Sequence, residues 1–153
     1  MLSVILPISL LTGGLAAGAL LLSALGGAPM LVALPVEQYV PVHKFLVTRF
    51  DPFMPLSLAT AMVCDVVVTF LAPTGPARLL AAAGALLYIA VMAVSLTKNV
   101  PINRWIAALD PADMPADWAS VDPRSRWRDW NLVRTSLAVA GLVVNVSIVG
   151  VLL

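Results

Sequence analysis

VILPISLLTGGLAAGALLLSALGGAPMLVAL, residues Val4 to Leu34, contains no charged side chain. About 20 apolar residues suffice to cross the hydrocarbon core of a bilayer. A run of this length therefore predicts a membrane span that is tilted, or kinked near Pro29. It has no basic start and outruns the apolar segment of a secretory signal peptide, so it is expected to be retained. The whole chain agrees with that reading: 61% of its 153 residues are hydrophobic and 11% are charged, where a soluble domain carries about 25% charged residues. A net charge of +1 gives no general attraction to nucleic acid. The single cysteine, Cys64, rules out an intramolecular disulfide and the CxxC pair of a thiol-based reductase.

Outward from the first run, PVEQYVPVHKFLVTRF (Pro35 to Phe50) predicts a short interfacial segment, with Pro41 opening a helix. Asp51 before Pro52 is expected to cap the next helix. Phe53 to Leu71 reads as a second span carrying Asp65, and APTGP (Ala72 to Pro76) as a tight turn into a third span, about Ala77 to Leu96. A long polar loop follows, with Asp, Pro and Ala concentrated between Ala107 and Ser125. The fourth span begins near Trp127. On it Trp127, Asn131, Arg134, Ala138, Gly141 and Asn145 fall at three- and four-residue steps, which predicts one polar face turned into the bundle.

The expected fold is all-α: residues 1–153 form a single integral membrane four-helix bundle with a long polar loop between helices 3 and 4. Gly14 and Gly18 make a GxxxG pair whose first use is packing inside the bundle and whose second is a homo-oligomer contact. Lys44, Arg49, Lys98, Arg104, Arg124, Arg126, Arg128 and Arg134 lie on one side of the predicted topology, against Arg78 alone on the other. The positive-inside rule then puts both large connections in the cytoplasm and both termini outside the cytoplasmic membrane.

This topology brings three polar groups to one face: His43, Arg49 and Asp51; Lys98, Asn99 and Asn103; Trp127, Trp130, Asn131 and Arg134. Each has an ordinary account, since Lys and Arg snorkel, Trp anchors at headgroups and Asn caps helices. Together they predict a shared pocket. His43, the sole histidine, is the natural general base. It offers no three- or four-ligand metal site, while a haem with one axial His stays open. Asp65 within a span is a functional candidate by position, with Asn145 its expected partner.

At these residues the chain resembles the anthrone oxygenase-like family of small integral membrane proteins. The resemblance rests on the Gly-rich first span followed by Pro, on NVPIN at Asn99 to Asn103, and on the signature formed by Trp127, Trp130, Asn131, Arg134 and Thr135. Family members often carry His at the position of Asn131, which leaves His43 as the only imidazole here. The resemblance implies oxidation of an activated aromatic CH2 by molecular oxygen to a quinone, with no cofactor. In that reaction His43 takes the proton, Arg134 and Asn131 hold the oxyanion, and Arg49, Asn99, Asn103, Trp127, Trp130 and Asp65 contact a hydrophobic substrate. Two other readings stay open: a non-catalytic membrane subunit or lipid-binding module, and a small transporter.

Overall fold

The structure, a computed structural model, describes residues 1–153 and is helical throughout. Four helical stretches are long and apolar enough to cross a membrane, which makes the chain an integral membrane protein. The first is α1 (Leu2–Leu22), which passes through a π-helical turn (Ser23–Gly27) into α2 (Ala28–Ala33). The helix α3 (Val36–Phe50) leads to the second, α4 (Phe53–Leu71). The third combines α5 (Gly75–Val94), a second π-turn (Ser95–Asn99) and α6 (Val100–Ala108). After a loop holding the short α7 (Trp118–Val121), α8 (Arg124–Leu152) completes the bundle.

Helix lengths set where a site can form. The first and third stretches have 32 and 34 residues, about 50 Å at 1.5 Å per residue. The 19 residues of α4 span about 28 Å, close to the thickness of a bilayer core. The long helices therefore project past α4 at one end, where α3 and the last loop close over them. Lys44 Nζ donates to the carbonyl of Leu109 at 2.8 Å. Arg124, paired with Asp122 at 2.6 Å, donates to the carbonyl of Leu34 at 2.8 Å. The first bond ties α3 to the end of α6, and the second ties the α2–α3 connection to α8.

Three local expectations are corrected. Lys98 to Ala108 is not loop but a helical extension of the third span. Pro101 has no N–H, and in a regular turn its ring would press on the carbonyl four residues back; the wider π-turn before it relieves both problems, so the helix continues. Pro29 stands in the same relation to the first π-turn, and SALGGAP (Ser23 to Pro29) and SLTKNVP (Ser95 to Pro101) share a leading Ser and a closing Pro. Pro41 does not open α3, which begins at Val36 with Pro35 as its cap residue. Asp51 makes no capping hydrogen bond to α4, whose cap position is Pro52.

The buried face of α8 runs through Trp127, Asn131, Arg134, Ala138, Gly141 and Asn145, as its periodicity requires. Leu58, Ala61, Asp65 and Val68 on α4 have the same spacing as Ala138, Gly141, Asn145 and Ile148 on α8. A π-turn interrupts the first and third stretches, while α8 runs without one. Tyr88 fills the middle of the bundle: a Cβ on Gly13 would collide with the Tyr88 hydroxyl, and one on Gly141 would stand 2.9 Å from its ring. A Cβ added at Gly14 or Gly18 would meet nothing within 4 Å, so internal packing falls to Gly13, Ala16 and Ala17.

Candidate functional site

A cavity of about 790 Å³ lies at the α3 end of the bundle, within the range of pockets that hold drug-sized ligands. The π-turns widen two of its walls, and α4 begins at the same level with Pro52, Met54 and Pro55 on a third. Leu20, Leu46, Phe50, Leu58 and Met92 make most of the lining apolar. Against that surface stand a few polar side chains: Ser23, Asp51, Ser95, Asn103, Trp127 and Arg134.

Arg134 is 5% exposed and has no carboxylate within ion-pair distance. Its Nε and Nη2 donate to Asn131 Oδ1 at 3.0 and 2.8 Å, and its Nη1 donates to Ser95 Oγ at 3.3 Å. Ser23 Oγ donates to the same Asn131 oxygen at 3.4 Å. Three of the five guanidinium N–H groups are spent in this way. The others have no protein acceptor. Burying a cation costs several kcal/mol, which neutral Asn and Ser oxygens repay only in part. An anionic group in the cavity would complete the balance.

A second network supports the first. Trp127 Nε1 donates to Asn103 Oδ1 at 2.7 Å, and His43 Nε2 lies 3.0 Å from the same oxygen. Because that oxygen can only accept, Nε2 carries the proton and Nδ1 is left with a lone pair and no partner. Burial pushes the His43 pKa below its usual value, opposed by the Asn103 bond. The ring is 1% exposed, edge-on to Tyr39 and Trp127 with centroids 5.3 and 5.2 Å away. It therefore sits behind Asn103 and off the cavity wall, where it contacts Asn103 and Trp127 and does not face a ligand in the cavity as expected.

The other expected site residues divide. Asn103, Trp127 and Arg134 line the cavity, and Asn131 orients Arg134 from behind. Asn99 is fully buried and donates to the carbonyl of Trp127 at 3.1 Å, which fastens the third stretch to α8. Arg49 is on the surface of α3, with its guanidinium 4.9 Å from the Phe45 ring. Trp130 lies under Lys98 Nζ at 5.0 Å and lines a separate outer cleft with Arg126.

Asp65 is the largest correction. It lies 12 residues into α4, counting from Phe53, about 18 Å from the cavity end of that helix. Its Oδ1 accepts from Ser9 Oγ at 2.6 Å, and Asn145 Nδ2 donates to Ser9 Oγ at 2.9 Å. Ser9 thus stands between the expected partners. Ser23 and Ser95 were missed as site residues, and the shared Ser and Pro framing of the two π-turns was the signal for them; Asp51, expected at this face, lines the cavity.

Residues 45–144 match the family described as Anthrone oxygenase. The chain belongs to the anthrone oxygenase family. The match covers α4, α5, the second π-turn, α6 and the cavity-lining part of α8, so Asn103, Trp127 and Arg134 all fall inside it. No curated protein and no solved structure matches the chain. Membership in the anthrone oxygenase family carries an oxygenase-like role. His43 does not suit an axial haem ligand, because its Nε2 is taken by Asn103 and it lies off the cavity. No group of three His, Cys, Asp or Glu side chains gathers to hold a metal ion.

Proposed function

We propose that this protein is a membrane-embedded oxygenase that binds a flat, hydrophobic, phenolic anthrone-like molecule in the cavity and oxidises its CH2 with molecular oxygen. The observation that carries this reading is Arg134: a buried guanidinium with unspent donors and no carboxylate within ion-pair distance, facing a mostly apolar chamber. A phenolic tricycle supplies both a large apolar surface and an oxygen that becomes anionic when the ring system loses a proton.

The chemistry needs no external reductant. Loss of a proton gives a delocalised anion, held by the free N–H groups of Arg134 as an oxyanion hole holds an enolate. The anion passes one electron to oxygen, the two radicals join in a new C–O bond, and the resulting peroxide loses water to leave a carbonyl. The sum is CH2 + O2 → C=O + H2O. Trp127 offers its ring to the flat substrate, with Arg134 5.9 Å from that ring, and the apolar walls exclude water from the anion.

To test this, purified protein in nanodiscs is given a phenolic tricycle with an acidic CH2 under air, and quinone absorbance is followed against protein-free discs. Turnover well above the spontaneous rate supports the proposal, as does a loss of about 10²-fold or more in Arg134→Gln, the usual cost of one oxyanion donor. Equal rates with and without protein would remove the oxygenase reading in favour of a binding module.

A further inference from the structure

The proposed reaction requires a group that takes a proton from the substrate, and His43 does not face the cavity. Among the residues that do, one side chain is a carboxylate and none is an imidazole: Asp51, between α3 and α4. Its carboxylate is uncommitted, for it caps no helix and makes no hydrogen bond or ion pair. Its neighbours fix its place, since Phe50 and Pro52 on either side of it line the same chamber. Every other acidic residue is off the cavity.

We propose that Asp51 is the general base of the site, on the evidence that it is the single free carboxylate lining the cavity into which Arg134 faces. This rests on the oxygenase reading above. The substrate lies between the two groups, its phenolic oxygen toward Arg134 and its acidic CH2 toward Asp51. Asp51 accepts one proton as the C–H bond breaks, and the electron pair stays on the ring system as the oxyanion at Arg134. After the C–O bond has formed, the carboxylic acid returns its proton to the peroxide anion; Asp51 then takes the second proton from the same carbon as the O–O bond breaks to leave the carbonyl, and passes it to the departing hydroxide, which leaves as water. Asp51 is exposed, so it also sits where protons exchange with bulk water between turnovers.

The experiment compares wild type, Asp51→Asn and Glu37→Gln in nanodiscs, measuring binding of the phenolic tricycle and steady-state oxidation separately. Glu37 is an exposed acid in the first turn of α3, off the cavity. Asp51→Asn is expected to accumulate and bind as wild type does, because no hydrogen bond is lost, while kcat falls about 10²-fold or more. Glu37→Gln is expected to behave as wild type. Wild-type activity retained in Asp51→Asn overturns the assignment and leaves the oxygenase reading intact. A fall in binding that matches the fall in kcat also overturns it, since Asp51 would then hold substrate rather than move a proton. If wild type itself neither binds nor oxidises the tricycle, it is the oxygenase reading that fails, and this assignment with it.

Discussion

Replacing Arg134 by Met separates a ligand-holding cation from a structural one. The substitution removes three hydrogen bonds to neutral oxygens, at 3.0, 2.8 and 3.3 Å. Bonds involving a charged group are worth about 1.5 kcal/mol or more each, so some 4 to 5 kcal/mol is lost. The same change relieves the several kcal/mol spent in burying a guanidinium with no counter-ion. The two contributions nearly cancel, and thermal stability should move little. Binding behaves differently. The unspent N–H groups face the cavity, and two bonds to an anionic oxygen contribute about 3 kcal/mol or more, a factor of about 10² in Kd. The assay is ligand titration by tryptophan fluorescence quenching in nanodiscs, with the phenolic tricycle and with its hydrocarbon analogue lacking oxygen. The phenolic ligand should weaken about 10²-fold in Arg134→Met and the hydrocarbon should bind unchanged. The reasoning is refuted if both ligands bind as before, or if both are lost together with a large fall in melting temperature.

Other consequences follow from named contacts. Because burial holds the His43 pKa down, the unfolded chain takes up a proton near pH 6.5 before the folded one does. Stability should therefore fall as pH drops below about 6.5, and His43→Gln should flatten that dependence in a melting series. In the ring formed by Ser9, Asp65 and Asn145, Asp65 Oδ2 and Asn145 Oδ1 have no donor, and both converge on Gly84. A proton on Asp65 would satisfy both oxygens, so Asp65→Asn should accumulate normally while Asp65→Leu should not; the opposite order in membrane yield would exclude a neutral carboxyl. Gly84→Ala would place a Cβ 2.5 Å from Asp65 Oδ2 and 2.7 Å from Asn145 Oδ1, an overpacking cost of about 1 to 3 kcal/mol, read as a lowered melting temperature. A cysteine introduced at Ala116 should be labelled from the cytoplasmic side only, and labelling by an impermeant reagent outside the cell would reverse the proposed orientation.

What could be read from the chain was what depends on period and composition. The stripe from Trp127 to Asn145 follows from 3.6-residue spacing, and every residue in it is buried. The end of the third span did not follow, because Pro101 and the polar KNVPIN look like a stop, and periodicity cannot register a turn widened by one residue. His43 lies at the same end of the bundle as the cavity but does not line it. Its role depends on whether Asn103 lies between it and the cavity, and only the packing of α3 against α6 decides that. Asp51 was expected at the polar face but its own task was read as a helix cap, because sequence offers local partners first. Its free carboxylate became visible only once α4 was seen to start at Phe53 without it.

The central claim is tested most directly by isotope labelling under single-substrate conditions. Wild-type protein in nanodiscs is incubated with the phenolic tricycle under 18O2 in ordinary water, and quinone, oxygen consumed and label incorporated are measured together. The account predicts one oxygen molecule consumed per quinone formed, one 18O atom in each new carbonyl, and a rate that depends on protein concentration and collapses in Arg134→Gln. Quinone formed at the protein-free rate, or a carbonyl oxygen that comes from water as the product forms, would contradict it.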